Sequence, residues 1–140
     1  MIKIKKTPIT FEHLTKHSLD EIENAGGQAV IREQTDEFWQ VIYQGKPICY
    51  TGACRSTWLT NERFVWFALT KFWPTSSEGF KVLRKYKKAN WPWFSFSYVF
   101  TFVQMSSKVE KRFAKFFGMQ PVELYAYNGE KVYQKFEVQN

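Results

Sequence analysis

An unbroken apolar segment in the middle of the chain constrains the fold more than any other feature. Residues 63–69, Arg-Phe-Val-Trp-Phe-Ala-Leu, lead through a loop rich in Pro, Ser and Gly into a basic amphipathic segment and then a second aromatic segment. This order predicts a strand, a helix and a second strand, and strands joined by a helix are expected to be parallel. The loop after the first strand is therefore expected at the carboxyl edge of a sheet, where ligands usually bind.

The composition of the chain limits its class. With 140 residues, 19% of them aromatic, the sequence predicts a single domain over residues 1–140 with a core of Phe, Trp and Tyr. No apolar run reaches the roughly 18 residues that a membrane span needs, and the polar start lacks the apolar stretch of a signal peptide. We therefore expect a cytoplasmic protein that is not secreted and has no membrane span.

Periodicity predicts the elements of the first half. Residues 2–6 are expected to form a strand, and Thr10 to cap a first helix that stops at Gly26-Gly27. Alternating residues over 37–53 predict an antiparallel hairpin that turns at Gln44-Gly45. The apolar strand that follows is expected at the buried centre of the sheet, because both of its faces are apolar.

The second half shows equally regular patterns. Inward-facing Phe80 and Leu83 predict a helix, and an aromatic strand is expected from Phe94 to Val103. Ser107 with Glu110 three residues later predicts a capping box at the start of a last helix. A final hairpin over 122–138 is expected to turn at Asn128-Gly129. The full order is β-α-β-β-β-α-β-α-β-β, which predicts an α/β fold.

This order of elements resembles the GNAT N-acetyltransferase fold, in which the fourth and fifth strands splay apart to admit acetyl-CoA. The segment from Ser107 to Met119 resembles the last helix of that family. The resemblance implies a GNAT-like mixed central sheet of about seven strands, with helices on both faces.

Within that fold, the chain is similar to the internal virion protein A group of short-tailed phages. The similarity lies in the length, the paired histidines His13 and His17, the basic helix after the Trp/Phe strand, and Arg112-Phe113 followed by Lys115 and Gly118. It implies a structural or assembly role in the internal core of a phage virion, with other virion or assembly proteins as partners. The implied locations are the host cytoplasm and the virion interior.

The residues that would hold acetyl-CoA depart from the family pattern. The family's pyrophosphate loop is Gln/Arg-x-x-Gly-x-Gly/Ala, whereas residues 74–80 contain one glycine, and Glu78 would repel the phosphates. No cofactor is therefore expected. If acetyl-CoA did bind, the resemblance assigns it to Leu69, Thr70, Ser76, Ser77, Gly79, Phe80 and Ser107.

The catalytic residues also depart from the pattern. Many active members place a tyrosine four residues before the glycine that ends the last helix, and this chain has Ala114 there, which cannot supply a proton. Glu62 is a weak candidate for a general base, because a surface carboxylate that starts a strand is the favoured explanation. The sequence therefore favours a protein without catalytic activity.

Other candidate sites are a pair of histidines and a basic surface. His13, His17 and Glu21 would share one helix face, but no third His or nearby Cys completes a zinc site, so no metal is expected. The net charge is +7, and residues 81–115 hold nine Lys or Arg against one acid. This surface is either a solvated face or a site for DNA or another acidic partner, and it comprises Lys81, Arg84, Lys85, Lys87, Lys88, Lys111, Arg112 and Lys115.

Three functions remain open at this point. The first is the phage assembly role with no catalysis. The second is an acetyl-CoA-dependent N-acetyltransferase with a degenerate cofactor loop. The third is a basic accessory protein that binds nucleic acid.

Overall fold

The computed structural model describes residues 2–55, 62–86 and 91–140, apart from the side chains of Ser76 and Phe94. Within these residues the chain forms four α-helices and seven strands, and a 3₁₀ helix (Pro92–Ser95) precedes the fifth strand. In chain order the elements are β1 (Ile2–Lys6), α1 (Lys16–Asn24), α2 (Gln28–Gln34), β2 (Glu37–Tyr43), β3 (Lys46–Arg55), β4 (Glu62–Leu69), α3 (Ser76–Arg84), β5 (Tyr98–Gln104), α4 (Lys108–Phe116), β6 (Gln120–Asn128) and β7 (Lys131–Gln139).

The strands form one mixed sheet in the order β1-β2-β3-β4-β5-β7-β6. Strands β4 and β5 are parallel, as the helical crossover predicts, and all the other neighbours are antiparallel. Strand β4 lies at the centre, where Val65 is fully buried. The predicted class, an α/β fold with about seven strands and helices on both faces, is confirmed.

The parallel pair is joined over only part of its length. Three residue pairs connect the strands, from Glu62 with Tyr98 to Phe64 with Phe100. Beyond these pairs, β4 continues to Leu69 and β5 to Gln104, but the two strands no longer pair with each other. The carboxyl ends of the two strands therefore splay apart and open the sheet.

Aromatic side chains fill both sides of the sheet. On one side Phe113 and Phe117 of α4 pack against Phe67, with ring centroids 5.3 and 5.7 Å away. On the other side the Trp66 indole donates a hydrogen bond to Thr35 Oγ1 just after α2, over 3.1 Å. Helices thus cover each face.

The first helix begins later than predicted. Its cap is Thr15, whose side chain accepts a hydrogen bond from Ser18 N, while Thr10 only accepts one from Glu12 N in a local turn. The reason is tertiary, because Leu14 forms an antiparallel bridge with Thr70 and so keeps this segment out of the helix. The stop at the two glycines is confirmed, but they lead into α2, which was not predicted.

The fifth strand also begins later than predicted. Residues 92–95 form the 3₁₀ helix, with Pro92 at its start, and the strand begins at Tyr98. Trp91 just before this helix and Trp93 within it are buried, and the Trp93 ring centroid lies 3.9 Å from that of Phe117. Burial of these indoles against α4 overrides the alternating pattern of the sequence.

One predicted turn and one predicted capping box differ from the structure. The last hairpin turns at Gly129-Glu130 rather than Asn128-Gly129, because Asn128 pairs with Lys131. In the capping box, Ser107 Oγ accepts from Glu110 N over 3.2 Å as predicted. The Glu110 carboxylate does not return to Ser107 N; it accepts from Gln104 N over 3.4 Å instead.

None of the helices in the described part of the chain is both long and apolar enough to span a membrane.

Candidate functional site

The gap between the splayed strands opens into a cavity of about 340 Å³. The cavity lies between α1, the ends of β4 and β5, the first turns of α4 and the β6–β7 hairpin. Most of its wall is apolar, and the large apolar side chains are Ile22, Ile31, Phe64, Trp66, Phe67, Leu69, Phe102, Val103, Val109 and Phe113. A volume of this size suits a small organic molecule.

One side of the cavity is polar and centres on Glu21 of α1. Its Oε2 accepts a hydrogen bond from the Tyr133 hydroxyl over 3.0 Å, and its Oε1 lies 3.4 Å from Lys131 Nζ. Burial raises the pKa of Tyr133, and the charge of Glu21 raises it further. The tyrosine therefore stays protonated and donates to the carboxylate.

A second carboxylate, Glu110 of α4, lines the same side. Its Oε2 is shielded from water and accepts no hydrogen bond, and His17 Nε2 lies 3.5 Å away. Burial is the main cause that raises the pKa of Glu110, and the charge of Glu21 is the next. The two carboxylates therefore repel each other across this end of the cavity.

The open edge of β4 is occupied by the chain's own backbone where the strand ends. Thr15 N donates to Leu69 O over 3.0 Å, and Lys71 N donates to His13 O over 2.8 Å. The Ser18 hydroxyl accepts from Leu69 N over 3.0 Å. Residues 13–15 thus pair with residues 69–71 as a short strand would. Sequence reasoning missed this contact, because it places residues 13–15 and Ser18 within the helix that Thr10 is expected to cap.

The space between α3 and α4 is filled by the indole of Trp73. Its ring lies 5.7 Å from Phe80 of α3 and 5.3 Å from Phe113 of α4. A Cβ added at Gly79 would lie 2.3 Å from this indole. The glycine that the loop retains therefore makes room for a tryptophan rather than for a phosphate.

The residues assigned to acetyl-CoA fall in different environments. Leu69 and Ser107 line the cavity. The Thr70 hydroxyl is buried and donates to Pro47 O over 2.6 Å. Phe80 is buried in the core, Ser77 is exposed on the first turn of α3, and the side chain of Ser76 lies outside the described part of the structure.

The two catalytic positions lie away from the cavity. Glu62 starts β4 and pairs with Tyr98, at the opposite end of the strand from the splayed edge. Ala114, at the position where many active members have a tyrosine, is fully buried in the core. Neither is among the described residues that line the cavity.

The predicted basic surface is present on both helices. Lys81, Arg84 and Lys85 are exposed on or just after α3; Lys87 and Lys88 lie outside the described residues. On α4, Lys115 is exposed, Lys111 is half-buried, and the Arg112 guanidinium lies 4.7 Å from the Phe80 ring centroid.

The two histidines do not share a helix face. His13 precedes α1 with a φ of 66° and lies beside Phe72, whereas His17 lies on α1 near Glu110. Among residues 2–55, 62–86 and 91–140, no group of three His, Cys, Asp or Glu side chains is placed to hold a metal ion.

No family model matches the sequence, and no curated protein matches it. Solved structures do. A GNAT family acetyltransferase from Elizabethkingia anophelis with acetyl-CoA bound matches with a TM-score of 0.60 at 12% identity, over 98% of this chain and 98% of that chain. The IAA acetyltransferase from Bacillus cereus matches with a TM-score of 0.62 at 11% identity, over 100% of each chain. A mutant spermidine N-acetyltransferase from Vibrio cholerae matches with a TM-score of 0.59 at 6% identity, over 99% of this chain and 93% of that chain.

The chain therefore has the GNAT acetyltransferase fold. At these identities the likeness establishes the fold and leaves the function to the site. Two contacts occupy positions near the splayed edge. The edge of β4 at Leu69 is taken by Thr15 and Ser18, and the Trp73 indole fills the space beside Gly79.

Proposed function

We propose that this protein uses the GNAT fold to bind a small molecule in the cavity between β4 and β5, without transferring an acetyl group. The cavity of about 340 Å³, apolar on most sides and polar on one, supports the binding role. The observation that carries the second half of the proposal is the pairing of residues 13–15 with residues 69–71.

The pairing argues against a cofactor because it removes hydrogen-bonding groups. In the family that the chain resembles, acetyl-CoA enters between the fourth and fifth strands. Here Leu69 N and Leu69 O already bond to Ser18 and Thr15. A cofactor arm at this edge would have to break both bonds, and each unpaired buried group costs about 1–3 kcal/mol.

The second candidate is an acetyl-CoA-dependent N-acetyltransferase. The comparisons favour it over the phage assembly role, because the matched structures are acetyltransferases and none of the three described above is a virion protein. One local observation also favours it: the Thr75 side chain does not cap the start of α3, so its hydroxyl accepts no hydrogen bond from the N–H groups of the first turn. Such a turn suits a phosphate, although Glu78 lies within it.

Calorimetric titration with acetyl-CoA decides between the two candidates. We expect no binding tighter than about 1 mM, a free energy weaker than about −4 kcal/mol. Micromolar binding, followed by release of CoA when an amine is added, would overturn the proposal and establish the transferase. The same titration on the Ser18→Ala variant tests the role of the closed edge. This change frees Leu69 N, so it should strengthen the binding of acetyl-CoA if the Ser18 contact opposes that binding.

The assembly role in a phage virion and the binding of DNA both stay proposals, supported by the exposed basic surface of α3. If that surface binds an acidic partner, replacing Lys81, Arg84 and Lys85 with Glu should abolish binding, and binding should weaken steeply with salt. The matched control replaces the exposed Lys3, Lys5 and Lys6 of β1 with Glu, which makes the same change in charge on another element. Equal loss in both variants would contradict a local site.

A further inference from the structure

We propose that copies of this chain associate head to tail, with strand β6 of one copy pairing against strand β1 of the next. The contact lies at the two ends of the sheet and does not depend on the small-molecule site. Exposed side chains, strand directions, backbone hydrogen bonding and charge all support it.

Strand β6 is an end of the sheet that carries exposed apolar side chains. In the sheet that the described strands form, β6 has one neighbour, β7. The exposed large apolar side chains of the described residues are Met105, Leu124, Tyr125 and Tyr127, and the last three lie on β6. Tyr127 is 74% exposed and Tyr125 is 45% exposed. An end strand of this composition is suited to pairing with a further strand.

The directions of the strands allow the sheet to continue from one copy into the next. Strand β1 is the other end of the sheet, and the neighbours between β1 and β6 are antiparallel except for β4 and β5. Strands β1 and β6 therefore run in opposite directions. Two copies placed side by side in the same orientation bring β6 against β1 as an antiparallel pair, with the helices of both copies on the same faces.

On β1, the even-numbered residues have their backbone N–H and C=O groups directed outward. Thr7 N, just after the strand, donates to Phe38 O of β2 over 3.1 Å. Hydrogen-bonded and non-hydrogen-bonded residues alternate along an antiparallel pair. Ile2, Ile4 and Lys6 are therefore the residues whose backbone groups point away from β2.

On β6, the corresponding outward residues are the two tyrosines. Asn128 pairs with Lys131 across a two-residue turn, and such a turn is closed by a hydrogen bond between its first and last residues. By the same alternation, Tyr127 and Tyr125 direct their backbone groups away from β7. The even residues of β1 and the odd residues of β6 can therefore form the hydrogen-bonded pairs of a new ladder.

The side chains of these residues also lie on matching faces. Ala126 lines the cavity beside α1, so its neighbours Tyr125 and Tyr127 lie on the opposite face, which α4 covers. Ile4 pairs with Val41, which lies under α3 and α4 on that same face. One register then joins aromatic with aliphatic side chains and an acid with a base: Tyr127 with Ile2, Tyr125 with Ile4, and Glu123, in the bulge of β6, with Lys6.

The charges favour this pairing over the pairing of like strands. Strand β1 carries the exposed Lys3, Lys5 and Lys6, whereas β6 has one acid, Glu123, and no Lys or Arg. Two β1 strands would repel each other, and two β6 strands would leave Glu123 without a cation from the partner strand. Lys6 is 64% exposed and lies 3.9 Å from Glu37, so its ammonium group can accept a second carboxylate as a partner.

A contact of this kind is weak and open-ended. One strand edge offers less than the about 800 Å² per partner of a standard interface, so we expect reversible association. Because the two surfaces differ, each pair of copies keeps one free β1 and one free β6. Association therefore continues to larger species unless a ring closes.

Sedimentation velocity of the full chain at neutral pH and physiological salt tests the proposal. We expect the average sedimentation coefficient to rise with protein concentration up to about 1 mM and to return to the monomer value on dilution. A monomer throughout this range would overturn the proposal, and so would aggregates that dilution does not reverse.

Three variants test the register. Tyr127→Lys should weaken association at least about tenfold, because it places a cation on the edge that meets the lysines of β1. Lys6→Glu and Glu123→Lys should each weaken it about threefold to tenfold, because each sets like charges against each other. The double variant with both changes restores an opposite pair and the original net charge, so its association should return to the wild-type level.

The controls Lys16→Glu on α1 and Glu33→Lys on α2 change the net charge equally at exposed helix positions and should leave association unchanged. Circular dichroism verifies that each variant is folded, and if Lys6→Glu unfolds, Lys6→Gln replaces it and should still weaken association. Loss in Tyr127→Lys without any effect at Lys6 would indicate that two β6 strands pair, which overturns the head-to-tail contact. Equal effects in the controls, or no recovery in the double variant, would overturn it as well.

Discussion

The hydroxyl of Ser18 on α1 accepts a hydrogen bond from the backbone N–H of Leu69 at the end of β4, over 3.0 Å. Ser18 is 7% exposed, and the Thr15 hydroxyl also donates to it, over 3.1 Å. One small side chain therefore joins the cap of the first helix to the splayed edge of the central strand. The contact both holds α1 in place and closes the splayed edge of β4.

Ser18→Ala should lower the free energy of unfolding by about 1–3 kcal/mol, because it leaves the N–H of Leu69 without its partner. Urea denaturation measures this change. The control Ser77→Ala removes a hydroxyl from the exposed first turn of α3 and should change stability by less than about 0.5 kcal/mol. Similar values for both variants would show that the Ser18 bond does not hold the edge.

Phe117→Ala should cost about 3–5 kcal/mol, because it removes a buried ring at the end of α4. This ring contacts Trp93 and stacks on Phe67, with centroids 3.9 and 5.7 Å away. Lys115→Ala, on the exposed side of the same helix, should cost less than about 0.5 kcal/mol. Denaturant titration compares the two, and equal effects would mean that the register of α4 is wrong.

Gly52→Ala should destabilise the protein by about 1–3 kcal/mol, because the new methyl group would overlap the side chain of Trp66. A Cβ at Gly52 would lie 2.3 Å from the indole of Trp66, across the β3–β4 pair. The comparison is Gly45→Asn, at a hairpin turn with a φ of 77° that Asn tolerates and with nothing within 4 Å of an added Cβ. Thermal unfolding of both variants tests this, and an unchanged Gly52→Ala would contradict the close packing of Trp66.

Glu110→Gln should flatten the pH dependence of stability. Burial and the charge of Glu21 raise the pKa of Glu110, so the folded state binds its proton more tightly than the unfolded chain does. The stability that this proton supplies is complete below the unfolded pKa and is lost as the pH rises through the folded pKa. On going from about pH 4 to 7, the wild type should lose stability relative to the variant, as measured by urea denaturation. Parallel pH profiles would contradict the shift.

Local patterns in the sequence were sufficient for most of the elements. The parallel pair β4 and β5, the hairpin that turns at Gln44-Gly45, and the amphipathic α4 with its Ser107 cap all follow from periodicity, turn residues and capping. These signals are local, since each depends on residues that are close together in the sequence. For the candidate site, the family resemblance named Leu69 and Ser107 as cofactor residues, and both line the cavity, but the sequence did not bring Glu21, Glu110 and Tyr133 together.

Only the tertiary structure decided where the first helix begins and how the cleft is closed. Thr10 and Thr15 are both acceptable caps by type, and the choice falls on Thr15 because Leu14 pairs with Thr70, 56 positions along the chain by sequence number. Residues 94–97 likewise leave the predicted strand, because the core beside Phe117 receives the rings of Trp91 and Trp93 just before them. The physical reason is the same in each case: the free energy comes from contacts between residues far apart in sequence, which no local pattern records.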